Sequence, residues 1–142
     1  MTATFDGLGL ETPVLDLKAL VKLLATIAPK GLATRVVEVG SWVGRTALAM
    51  VEALPNVTVY CVDTWEGTDQ VYDLDVWDKE SIPDQTGALA EEHGHDKVFA
   101  TFCRNVGRRL FRNVIPCRGS SLLWAENWPF PVDMVFLDAD HS

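Results

Sequence analysis

Positive charge is scarce in this chain: its 142 residues carry 12 Lys+Arg against 20 Asp+Glu, a formal charge of −8. A protein that grips a phosphate backbone needs a basic face, so nucleic acid is not an expected partner. Also missing is any apolar run of about 18 residues, the length at which a helix can cross a bilayer. The opening segment, MTATFDGLGLETP, lacks the basic start and apolar centre of a secretory signal, which leads to the expectation of a cytoplasmic protein without a membrane partner. Cysteine is sparse. Cys61, Cys103 and Cys117 are an odd number with no Cys-x-x-Cys spacing, so neither a disulfide framework nor a zinc site is signalled. Cys61 and Cys117 sit in strand-like runs, where a thiol packs as a small hydrophobe.

What is present is 48% hydrophobic content, ample for one buried core. Thr12-Pro13 reads as the start of a helix, continued by Val14, Leu17, Leu20, Val21, Leu24 and Ile27 at helical spacing. Residues 1–31 thus form an N-terminal helical segment and 32–142 the remainder of a single domain. TRVVEVG reads as a first strand, RTALAMVEAL as a helix, VTVYCVD as a second strand, NVIPCRG as a third and VDMVFLD as a fourth. Helical signals appear in QTGALAEEHG, in HDKVFATFCRNVGRRLF and in SSLLWAEN. The acid-rich stretch from Glu66 to Asp84 has no period. It reads as a long loop: solvated, a partner for the basic helix face at Arg104, Arg108, Arg109 and Arg112, or a lid over a substrate.

Strands alternating with helices give right-handed βαβ units and a doubly wound α/β fold with a parallel sheet. Ligands of such sheets bind beyond the carboxyl ends of the strands. That places Glu38 to Gly44, Asp63, Gly119 to Ser121 and Asp138 to His141 at the candidate site.

The turn VEVGSWVGRT is not a dinucleotide fingerprint. Trp42 stands where bare glycine backbone would approach a pyrophosphate, and Arg45 replaces the small helix-packing residue. No Gly-Lys-Ser/Thr of a phosphate-binding loop is present either. What remains is Glu-x-Gly-x-x-x-Gly. Glu38 puts a carboxylate beneath the turn, suited to an ammonium group. Helix N–H groups beyond the turn suit a ligand carboxylate. A ligand with both carries an amino acid, and Asp63, ending the second strand, is placed as an acid that accepts ribose hydroxyls.

Amino acid plus ribose describes S-adenosylmethionine. VVEVGSWVGRTAL, VYCVDTWEG, VIPCRGSS and VFLDADHS resemble, in order, the successive motifs of class I S-adenosylmethionine-dependent methyltransferases. They are similar in particular to a small-molecule O-methyltransferase branch with Asp-x-Asp-His-Ser after strand four. The resemblance implies a Rossmann-like sheet of which the first four parallel strands are present, in the order 3-2-1-4. It implies that Glu38, Gly40, Ser41 and Gly44 hold the methionine end of the cofactor, and that Asp63 and Thr64 hold the ribose. Trp65 would cover the adenine. Ser120 stands where the family commonly has an acid for the adenine amine, with the Ser121 N–H as a further donor. Asp138 and His141 would take the proton of a substrate hydroxyl, and Asp138 with Asp140 could hold a magnesium ion. The acceptor implied is a small polar metabolite or sugar.

Two other readings stay open on the residues alone: a nicotinamide-dependent oxidoreductase, and a cofactor-binding or interaction module without catalysis. The family sheet has further strands after the fourth, so the chain reads as a C-terminally truncated product or one half of a split enzyme. Strand four would then be an edge, and self-association or a complementing partner chain through it is expected.

Overall fold

The computed structural model describes residues 14–29, 31–66 and 97–139. The expected cap at Thr12-Pro13, the acidic stretch beyond Glu66, the helical signal in QTGALAEEHG, and Asp140 and His141 lie outside the described residues.

Helix α1 spans Val14–Ile27, strand β1 Thr34–Val39, helix α2 Arg45–Ala53 and strand β2 Val57–Asp63. Helix α3 spans Lys97–Val106 and runs into a 3₁₀ turn at Gly107–Arg109. Strand β3 (Val114–Arg118), helix α4 (Ser121–Asn127) and strand β4 (Met134–Leu137) complete the order. All strand pairs are parallel and the sheet order is β3-β2-β1-β4. This is the order expected from the sequence.

Parallel strands buried on both faces need apolar residues at consecutive positions, and the central pair supplies them: Val36, Val37, Val57, Val59 and Val62 are all buried. On one face, α1 packs through Leu17, Leu20, Leu24 and Ala28, the i, i+3, i+7, i+11 stripe of its period. Each such leucine removed from water contributes about 1.5–3 kcal/mol. The basic helix face finds a partner in α2: Arg109 donates to Glu52 at 2.8 Å. The pair is partly exposed, so solvent screening keeps its contribution small.

Both edges are explained by residue type. Pro116 has no N–H for a ladder and sits in β3, whose one strand neighbour among the described residues is β2, with Val114 also bridging Leu110. Among the described residues strand β4 pairs with β1 alone. Its Met134 and Phe136 pack on the core, whereas Val135 and Leu137 are 52% and 69% exposed. Alternation sends methionine and phenylalanine inward and leaves valine and leucine outside.

Helix α3 is shorter than its apolar period suggests. Val98, Phe102 and Val106 are buried as expected, but at Gly107 the α-helix gives way to the 3₁₀ turn, closed by Leu110 N–H on the Gly107 carbonyl.

Candidate functional site

The carboxyl ends of the four strands are tied to one another by backbone bonds. Gly40 N–H donates to Val62, Gly119 N–H to Asp63 and Asp138 N–H to Val39, each at 2.9 Å. The β1–α2 turn, the Asp63–Trp65 segment, the Gly119–Ser121 segment and Asp138 therefore meet at one edge of the sheet.

Glu38 is 1% exposed, between valines on β1. Its cross-strand neighbour is Cys61. The Ser41 hydroxyl donates to the Glu38 backbone carbonyl at 3.5 Å, and the carboxyl oxygen Oε2 has no partner. Burial above all, with the nearby acids Asp138 and Asp63 adding to it against the lowering effect of Ser41 and Cys61, pushes the Glu38 carboxyl up to about 8. Burial likewise raises the Cys61 thiol, with the charge of Glu38 adding to the effect. A buried carboxyl oxygen without a partner is costly unless something cationic reaches it.

Asp63 is half-buried, and both of its oxygens hold backbone: Oδ2 accepts the Trp42 N–H at 2.9 Å and Oδ1 the Trp65 N–H at 2.8 Å. A carboxylate offers about four acceptor positions, so two remain toward the open side. Trp42 and Trp65 are both in the left-handed region, at φ 47° and 52°, which bulky residues adopt only when their surroundings force it.

The two glycines of the turn are demanded by the protein itself. Gly40 has φ +88°, and a Cβ there would lie 2.4 Å from the Asp138 carbonyl oxygen, so the β4 end passes directly over it. Gly44 has φ +84°, and its Cβ would meet Val106 at 2.7 Å and Phe102 at 2.9 Å. Gly44→Ala is expected to destabilise the fold by about 1–3 kcal/mol, from left-handed strain plus overpacking, as read by urea unfolding.

Trp65 corrects an expectation. Its side chain is 1% exposed and packs against Phe99 and Phe102 at 4.9 and 4.7 Å between ring centroids. Its indole N–H donates to the Trp42 carbonyl at 2.7 Å. The ring is therefore inside the core and does not present a face to an adenine. Ser120 is an N-cap: its hydroxyl accepts the Leu123 N–H at 3.2 Å, and Ser121 opens the helix. Thr64 is half-buried beside Asp63, and its hydroxyl accepts the Glu66 N–H at 3.3 Å. Asp138 is exposed at the end of β4. No group of three His, Cys, Asp or Glu that could hold a metal occurs among the described residues. The Asp140 and His141 members of the expected cluster lie outside them.

Two contributors escaped the sequence reading. Cys61 is more than packing, because register puts its thiol beside Glu38; the signal was its position two residues before Asp63 on the neighbouring strand. Asn105 donates from α3 to the Val43 carbonyl at 2.9 Å, holding the turn from the helix side; a lone amide between Phe102 and Val106 was its only trace.

The fold and this edge define a class: a parallel α/β domain with an acid at or next to the end of each of its two central strands and a glycine turn between the first strand and its helix. The family model described as "Methyltransferase domain" matches residues 37–142, and the chain belongs to that family. Similar solved structures include one from Staphylococcus aureus, provisionally assigned as a caffeoyl-CoA O-methyltransferase, at 15% identity and a TM-score of 0.57; 92% of this chain aligns with 47% of that one. An O-methyltransferase, also provisionally assigned, from Klebsiella pneumoniae aligns at 16% identity and TM-score 0.57, over 94% of this chain and 47% of its own. The O-methyltransferase TomG of Streptomyces achromogenes, involved in tomaymycin synthesis and solved with S-adenosylmethionine, aligns at 19% and 0.53, over 92% and 46%. At these identities the likeness shows the fold. The chain spans about half the length of these structures. None of the curated proteins matches the sequence. No helix among the described residues is long and apolar enough to cross a membrane.

Proposed function

We propose that this chain binds S-adenosylmethionine and contributes to O-methylation of a small polar metabolite or sugar. The observation that carries this reading is Glu38: a buried carboxyl group with an unpartnered oxygen beneath the turn, flanked by Asp63 and Asp138. The site gathers negative charge, and the ligand it suits carries an ammonium group and a sulfonium. When bound, S-adenosylmethionine supplies an electrophilic methyl group.

In this reading Glu38, with Gly40, Ser41 and Gly44 shaping the turn, takes the ammonium group. Asp63 uses its two remaining acceptor positions for the ribose hydroxyls, with Thr64 beside it. Ser120 and Ser121 border the adenine end from β3. Asp138, exposed at the end of β4, takes the proton of the acceptor hydroxyl in this reading, with His141 as the second candidate. The nicotinamide alternative is weaker, because Trp42 occupies the position where a pyrophosphate needs bare backbone. Calorimetry tests the reading: micromolar binding of S-adenosylhomocysteine is expected, and binding of NAD alone would overturn it.

Association through β4 is part of the same proposal. Among the described residues β4 is an edge strand beside exposed Val135 and Leu137, and such an edge is a template for another strand. Sedimentation at several concentrations is expected to show self-association that Val135→Lys reduces. A monomer at all concentrations would refute it.

A further inference from the structure

We propose that Trp65 is a positioning residue for the β1–α2 turn, its indole N–H aiming the Val43 amide away from the indole as a donor for an anionic group of the ligand. The proposal rests on the S-adenosyl reading only in naming that group as the carboxylate of the amino-acid end.

Three bonds close a ring between the two left-handed tryptophans. Asp63 takes the Trp42 N–H at 2.9 Å and the Trp65 N–H at 2.8 Å, and the Trp65 indole gives its N–H to the Trp42 carbonyl at 2.7 Å. That ring fixes a backbone that an aromatic residue does not adopt unaided, with φ of 47° and 52°. The indole itself cannot swing, since Phe99 and Phe102 pack against it and it is 1% exposed. A trans peptide is planar, so its C=O and the following N–H point in opposite directions. With the Trp42 carbonyl accepting the indole N–H, the Val43 N–H points away from the indole. Among the described residues no backbone carbonyl outside the helices and strands takes it. Val43 itself is 4% exposed, and a buried N–H without a partner is rare. Asn105 pins the other side of the same residue through the Val43 carbonyl. Phenylalanine would keep an aromatic ring against Phe99 and Phe102 but has no N–H to offer the Trp42 carbonyl.

Trp65→Phe keeps the ring and removes the donor. In the full chain labelled with nitrogen-15, the Val43 amide resonance is expected to shift in this variant without any ligand, while circular dichroism stays native. Affinity for S-adenosylhomocysteine is expected to fall about tenfold, the loss of roughly one hydrogen bond, with affinity for 5′-methylthioadenosine, which lacks the amino-acid end, changed by less than about twofold. Equal losses for both ligands would mean general loosening and would overturn the proposal. So would an unmoved Val43 resonance. If the wild-type chain fails to bind S-adenosylhomocysteine, the S-adenosyl reading falls, and the Val43 resonance alone decides the role of Trp65. Should Trp65→Phe not fold, the wild-type indole proton decides: slow solvent exchange of the Trp65 N–H supports the bond to Trp42, and rapid exchange contradicts it.

Discussion

Glu38→Gln is expected to weaken binding of S-adenosylhomocysteine by on the order of 1–3 kcal/mol, about 5- to 150-fold, and to remove a pH dependence from the stability of the ligand-free fold. The first effect follows from replacing a carboxylate that meets an ammonium group with a neutral amide. The second follows from linkage. Burial raises the folded carboxyl from 4.5 to about 8, so between those values the unfolded chain gives up a proton that the folded chain keeps. Stability therefore falls as pH rises through that window and levels off above it. With each pK unit equivalent to about 1.4 kcal/mol, the total is on the order of a few kcal/mol. Glutamine cannot ionise. Thermal unfolding from pH 5 to 9 should fall steadily for the wild-type chain and lack that slope in Glu38→Gln. Parallel curves would show that Glu38 is not held protonated by the fold.

Asp63→Ala is expected to damage stability and binding together. The carboxylate is the acceptor for two backbone N–H groups, both on residues in the left-handed region. Hydrogen bonds to a charged acceptor contribute about 1.5–3 kcal/mol each, so loss of both destabilises the fold by on the order of 3 kcal/mol. Asp63→Asn retains one carbonyl acceptor and should fall between the wild-type chain and alanine in urea unfolding. The asparagine variant also separates the roles: if it folds well and still binds S-adenosylhomocysteine at wild-type strength, Asp63 serves the turn and not the ribose.

The sheet was readable because its signals are local. Consecutive valines around Glu38 and the Val57–Asp63 run specify buried parallel strands, and strand ends in an α/β fold locate the site without further information. Glu38 and Asp63 stood out because an acid among valines has no packing reason to be there. What the sequence did not reveal depends on contacts between distant segments. Trp65 follows Asp63 and so looked like a lid for adenine, but a left-handed backbone turns its ring into the core against α3. The Cys61 thiol and the Asn105 amide act through register and helix packing, neither of which has a local period. Gly40 and Gly44 were read from the resemblance as holding the methionine end, and the contact of the β4 end with one and of α3 with the other, which leaves no room for a Cβ, had no local trace. Ser120 was read as a substitute for an adenine-binding acid, and its hydroxyl caps a helix.

The central claim is that a protonated, buried Glu38 gives up its proton to receive the ammonium group of an S-adenosyl ligand. Isothermal titration of the wild-type chain with S-adenosylhomocysteine at pH 7, repeated in buffers of different ionisation enthalpy, tests it most directly. The account expects micromolar binding accompanied by release of a proton, with affinity rising toward pH 8 and the proton release lost in Glu38→Gln. Binding with no proton release, or no binding at all while NAD binds, would contradict it.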